Sequence, residues 1–194
     1  MPARERGFTL AEIVVVLAIL AVVVASAAPS LRAYSEEAKP LAAGQLFKGE
    51  FRKARSMAIA TGVQTALRFE PGPEGMYFSI YRDGNHNGVL RTDIGAGRDR
   101  RVAGPFKLTG PELGVRAAII EDVPAIPPET GTLPPGSDPI RFGRAEMLSF
   151  SPLGTATPGT LYLAGNWRQT AVRVNGESGR VRLMVYAGGR WRER

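Results

Sequence analysis

The 194-residue chain contains no cysteine. Disulfides, thiolate metal sites and cysteine nucleophiles are therefore excluded. Their absence does not rule out life outside the cytoplasm, because a chain of this length buries an adequate core without covalent staples. Histidine is nearly absent as well. His86 stands alone in a turn-like stretch, with no carboxylate–serine arrangement and no ligand cluster around it in the sequence. No phosphate loop, dinucleotide fingerprint or zinc spacing is present. The expectation is a protein without catalytic residues and without a required cofactor. Lysine is scarce, four against 21 arginines, and basic residues outnumber acidic ones 25 to 18 for a net charge of +7. From Arg141 to the end there are nine arginines and three glutamates, a local excess of +6. Such a surface favours anionic partners, nucleic acid or lipid head groups, although arginine-rich coding produces the same composition.

Charge is missing altogether from Ile13 to Ala28. Six polar or small residues, Met1 to Arg6, come first, then Gly7 and the run Phe8-Thr9-Leu10-Ala11-Glu12. As a helix, Phe8–Ala28 is about 31 Å long at 1.5 Å per residue, against about 30 Å for the hydrocarbon core of a bilayer. An ordinary secretory signal is cut beyond its apolar region, and Ala25, Ala27 and Ala28 are small enough to serve. Glu12 argues against that cut. A carboxylate near the start of a membrane helix costs up to about 2.5–3.5 kcal/mol unless partnered. Cleavage after Gly7 creates an amine one helical turn from Glu12, within one chain or on a neighbour. Cleavage after Ala28 leaves Glu12 without a role.

Gly7-Phe8-Thr9-Leu10-Ala11-Glu12 resembles the processing site of type IV prepilins and type II secretion pseudopilins. The resemblance implies that a prepilin peptidase cuts after Gly7 and methylates the amine of Phe8, and that Glu12 is the family's acidic fifth residue. It also implies an inner-membrane, single-pass subunit with its globular part outside the cytoplasm, at the cell surface once assembled. The family's helix-loosening proline falls at Pro29.

Beyond Pro29 the helical period continues in Leu31, Tyr34, Ala38 and Leu41, then in Phe47, Phe51, Ala54 and Ala58. Lys48, Arg52 and Arg55 lie on a different face, expected to be solvated. Pro29 and Pro40 predict kinks, and Gly62 a stop. After Gly62 the period falls to two, and strands are expected at Val63–Phe69, Met76–Tyr81, Val115–Ile120, Met147–Phe150, Thr160–Leu163, Thr170–Val174 and Arg180–Tyr186. Turn pairs such as Asp83-Gly84, Asn87-Gly88 and Asn175-Gly176 separate them. The proline-rich stretch Pro124–Pro139 reads as a surface loop. The expected organisation is a leader (1–7), a membrane and assembly helix (8–29), a second helical half (30–62) and an antiparallel, hairpin-rich β domain (63–194). The fold class is α+β. The order from Leu148-Ser149-Phe150-Ser151-Pro152-Leu153-Gly154 to the strand led by Gly179-Arg180-Val181-Arg182 resembles GspH/FimT-type minor pseudopilins and minor pilins. Other pilins or pseudopilins are the implied partners.

Two stretches are candidates for binding. In Asp83–Ile94, oxygens at positions 1, 3 and 5 and Gly88 at position 6 match the start of a calcium loop. Asp83, Asn85, Asn87, the Val89 carbonyl and Asp93 would be the ligands, although position 12 is Ile94 where a glutamate is normal. The same residues also make a hairpin turn. At the C-terminus, Arg180 and Arg182 share a strand face, and Arg190, Trp191 and Arg192 follow in a short tail. Arginines neutralise phosphates and an indole stacks on bases. In FimT-like minor pilins a Gly-Arg-x-Arg motif is associated with DNA binding, and Gly179, Arg180 and Arg182 match it. Double-stranded DNA is thus one implied partner for a pilus subunit. Similar segments occur in secretion pseudopilins without that role.

Overall fold

The computed structural model describes residues 9–110, 113–143 and 145–194, without the side chains of 27–29 and 31–33. The chain divides into two compact units, Met1–Ser35 and Glu36–Arg194. The expected leader, with Gly7, and Phe8 after it lie outside the described residues, as does the Leu31 side chain.

A single helix, α1, runs from Leu10 to Thr61 through both Pro29 and Pro40 without ending. In the first unit its apolar side chains are exposed all round, from 50% for Ile13 to 83% for Leu10. A helix apolar on every side needs lipid or other helices to cover it. The side chains described without a break, Leu10–Ser26, rise about 26 Å, short of a bilayer's ~30 Å core. Among the described residues no helix is long and apolar enough to cross a membrane.

In the second unit α1 becomes amphipathic. Phe47, Phe51, Ala54 and Ala58, the stripe expected from their spacing, are fully buried. Tyr34, expected on the same stripe, is exposed because it precedes this unit. The helix stops at Gly62, whose φ of 66° only glycine adopts without strain.

The β part holds two antiparallel sheets and a short ribbon. The first sheet contains β1 (Thr65–Gly72), β2 (Gly75–Arg82), β3 (Arg100–Lys107) and β7 (Met147–Phe150), in the order β3-β2-β1-β7. A short helix, α2 (Arg91–Gly95), lies between β2 and β3. The second sheet contains β6 (Ile140–Arg141), β8 (Gly159–Ala164), β9 (Gln169–Val174), β10 (Val181–Ala187) and β11 (Arg190–Glu193), in the order β11-β10-β9-β8-β6. The ribbon pairs β4 (Val123–Pro124) with β5 (Thr132–Leu133).

Both sheets turn one face to α1. Phe47 meets Phe78 of β2 edge-on at 5.9 Å between ring centroids, and Phe51 meets Phe69 of β1 at 6.2 Å and Phe142 at 5.8 Å. Leu161, Leu163, Val172, Val174, Val181 and Leu183 of the second sheet complete this core. The outer face of that sheet is covered too. Ile119, Val123, Ile126 and Leu133 pack on Tyr162 and Ala171. The proline-rich stretch is therefore no free surface loop but a cover held by its own buried apolar residues.

Three other expectations change. Val115–Ile120 forms only isolated bridges, Gly110 with Val115 and Arg116 with Ala164. Val115 belongs to the main core and Ile119 to the outer cluster, so this segment crosses from one face of the sheet to the other. The buried Gln169 side chain takes up its backbone, accepting from Ile120 N–H at 3.0 Å and donating to Ala118 C=O at 2.9 Å. Strand β3 was not expected. The C-terminal tail is a paired strand, β11.

Candidate functional site

Three places carry the candidate residues. The first is the start of α1. Thr9 N–H and Thr9 Oγ1 both donate to Glu12 Oε2 at 2.8 Å, and Glu12 N–H donates back to Thr9 Oγ1 at 3.3 Å. This is a capping box, in which a threonine and a glutamate three residues on satisfy each other's free N–H groups. The Thr-x-x-Glu spacing was legible in the sequence, and the capping role was missed because the carboxylate was read only against an amine. The two roles are compatible, since both Thr9 bonds fall on Oε2.

The second place is the Asp83–Asp99 turn. The structure brings Asp83, Asn85, Asn87 and Asp93 together, but as a hydrogen-bonded knot. Asp83 Oδ1 accepts from Asn85 and His86 N–H at 3.0 and 2.8 Å, and its Oδ2 from Gly88 N–H at 2.8 Å. Asp99, buried beside them, accepts from Gly84 and Leu90 N–H. Asn85 and Asn87 turn amide nitrogens, not oxygens, to Asp93 Oδ2, each at 2.9 Å, and Arg98 Nε donates to Asp93 Oδ1 at 3.1 Å. The Asp83, Asp93 and Asp99 carboxylate oxygens thus accept N–H bonds from within the turn, the pattern of an Asx-rich hairpin. Among the described residues no group of three or more His, Asp or Glu side chains is arranged to hold a metal ion.

Arg98 above all, then Asn85 and Asn87, hold the Asp93 carboxyl down to about 2 from its ordinary 3.8. A carboxyl lowered on folding stabilises the fold fully above its unfolded pKa, and this contribution fades as pH falls towards the folded value. The melting temperature is therefore expected to drop between about pH 4 and pH 2. Asp93→Asn should flatten that part of the profile, as differential scanning fluorimetry across the range would show.

The third place is the C-terminal arginine set. Strand β10 alternates as expected: Val181, Leu183 and Val185 are buried, while Arg180 and Arg182 face outward with side chains 63% and 43% exposed. The pairing of β10 with β11 divides the remaining candidates. Trp191 and Glu193 lie opposite Tyr186 and Met184, on the Arg182 face, whereas Arg190 and Arg192 lie opposite Ala187 and Val185 and face the other way. Trp191 is not free to stack on a base. Its Nε1–H donates to Pro124 C=O at 2.7 Å, and its ring packs on Tyr186 and Tyr162. Glu193 pairs with Arg182 at 3.2 Å and approaches Arg180 at 3.7 Å.

Sequence reasoning missed Arg173, which the sheet register sets directly across from Arg182. Its alternating position on the expected Thr170–Val174 strand was the available signal. Arg173, Arg180 and Arg182 line an open groove of about 630 Å³ with Ile126, Pro128 and Met184. Burial lowers the pKa of Arg173, whose guanidinium donates to Gly159 C=O at 2.9 Å.

Gly179 has a structural reason to be glycine. Its φ is +59°, and a Cβ there would come within 2.1 Å of Gly154 C=O. Arg55 of α1 clamps the same two turns, donating to Gly154 C=O at 3.0 Å and Ser178 C=O at 3.1 Å. Arg55 is thus half-buried between turns, where its helix face was expected to be solvated.

No curated protein and no solved structure gives a significant match to the chain. One family does match, described as the prokaryotic N-terminal methylation motif, over residues 2–28. The matched segment contains Gly7, Phe8, the Thr9–Glu12 capping box and the charge-free run. The chain therefore carries, at its N-terminus, the signature of type IV prepilin-like proteins.

Proposed function

We propose that the chain is a minor, GspH/FimT-type subunit that a prepilin peptidase cuts after Gly7 and that then joins a pilus-like filament through α1. The observation that carries this reading is the exposed apolar helix of the first unit, which lies largely within the matched methylation motif and is led by Glu12. Before assembly, Phe8–Ala28 sits in the inner membrane. In the filament, neighbouring helices cover the same apolar faces, and Glu12 neutralises the N-terminal amine of a neighbour. The role is structural rather than catalytic. Co-purification of the tagged chain with assembled filaments tests it: recovery only in the membrane fraction, with the peptidase and the other subunits present, would refute it.

A pilus with a DNA-contacting role is the setting favoured over a secretion pseudopilus. The supporting observation is that Arg173, Arg180 and Arg182 share one open groove. Arg190, Arg192 and Trp191 drop out of that site by their orientation and packing. A mobility-shift assay on the detergent-solubilised chain should show salt-sensitive binding to duplex DNA. Arg180→Ala with Arg182→Ala should lower the salt slope by about two, one for each phosphate that is no longer neutralised. Equal affinity in the double variant would remove the groove from the reading.

A further inference from the structure

The end of the second unit where the chain enters it presents two exposed apolar side chains on separate loops. Trp167, at the tip of the β8–β9 hairpin, is 81% exposed, and Leu113, between β3 and β4, is 45% exposed. Both loops are seated on α1 at residues 36–40. Asn166 Nδ2 donates to Glu36 Oε2 at 2.8 Å, and Arg168 pairs with Glu37 at 2.7 Å. Thr170 Oγ1 donates to Pro40 C=O at 3.2 Å, and Gly165 lies against the Pro40 ring, where a Cβ would approach Cγ to 2.6 Å. Gly114 lies against Lys39 in the same way: a Cβ there would come within 2.7 Å of Lys39 Cδ. Two backbone bonds of 2.8 Å between Arg116 and Ala164 tie the loops together.

These loops are held in place, so the exposure of Trp167 is built into the fold. The other tryptophan, Trp191, is packed and hydrogen-bonded. An indole that is apolar at one end and polar at the other is most at home at the level of lipid head groups. Of the basic side chains here, Lys39 pairs with Glu36 and Arg168 with Glu37, while the exposed Arg116 is the cation of this face best placed to attract anionic lipid. Seven residues, 29–35, join Glu36 to the charge-free run.

We propose that this end face, led by Trp167 and Leu113, rests in the head-group layer of an anionic bilayer and seats the globular unit on the membrane before assembly. The inference rests on the apolar run being a membrane anchor. The full chain, reconstituted into phosphatidylcholine–phosphatidylglycerol vesicles, tests both points separately. Flotation reports the anchor, and quenching by lipid brominated close to the head groups reports Trp167. The expected result is flotation of every variant, with quenching kept in Trp191→Phe, lost in Trp167→Phe and weakened by Leu113→Glu. A chain that floats while Trp191→Phe escapes quenching would overturn the inference alone, and assign the face to water or a protein neighbour. A chain that does not float would overturn the anchor and the inference with it.

Discussion

Glu12→Gln is expected to abolish incorporation into filaments while leaving the precursor processed and α1 intact. In the proposed filament the carboxylate has two separable tasks. As the third residue of the helix it accepts from Thr9 N–H and Thr9 Oγ1 at 2.8 Å, and glutamine performs that capping task nearly as well. Only the carboxylate neutralises an ammonium. Removing one partner of a buried ion pair costs about 3–5 kcal/mol, because the other charge is left uncompensated in apolar surroundings. That is a loss of more than a hundredfold in subunit association, at about 1.4 kcal/mol per factor of ten. Glu12→Ala should lose the cap as well, about 1 kcal/mol more, and Thr9→Ala should lose the cap alone. Quantifying filament incorporation for the three variants ranks them: normal assembly of Glu12→Gln with poor assembly of Thr9→Ala would leave capping as the only role.

Phe51→Ala is expected to destabilise the globular unit by about 3–5 kcal/mol. Phe51 is fully buried where α1 meets both sheets, with Phe47, Phe69 and Phe142 around its ring at 6.5, 6.2 and 5.8 Å. The three surrounding rings cannot collapse into the space it leaves without giving up the Phe69–Phe142 stack and the edge-on contact of Phe47 with Phe78. A loss of this size is a large part of the 5–15 kcal/mol that holds a typical domain together. Urea unfolding followed by circular dichroism should show the midpoint falling with the slope unchanged. Tyr34→Ala, exposed outside that unit, should leave the midpoint where it was.

How much of this was readable in the sequence varies from residue to residue. The Phe47–Ala58 stripe was, because a period of 3.6 over three turns has no strand equivalent. The β9–β10 hairpin was, because Asn175-Gly176 and clean alternation in Val181–Val185 agree. Strand β3 was not: Arg100, Arg101, Gly104 and Pro105 break its pattern, and its pairing with β2 is irregular around Ile80. As an edge strand it needs little burial, so composition carried no signal. Val115–Ile120 failed for the opposite reason. Its apolar alternation is real, but the two sets of side chains serve cores on two faces of a sheet instead of one strand's two sides. At the sites, the processing motif and Glu12 were legible because local chemistry defines them. The arginine set was half legible. Arg180 and Arg182 follow from strand alternation, but Arg173 joins them only through sheet register, and Trp191 leaves them only through its bond to Pro124.

The central claim is that the cut precedes the apolar helix, so that the helix stays in the mature protein. The most direct test is the intact mass and N-terminal sequence of the chain recovered from membranes of cells that contain a prepilin peptidase. The account predicts a protein that begins at N-methylated Phe8 and retains Ile13–Ala28. A mature chain that begins beyond Ala28, or one that still begins at Met1 with the peptidase active, would contradict it.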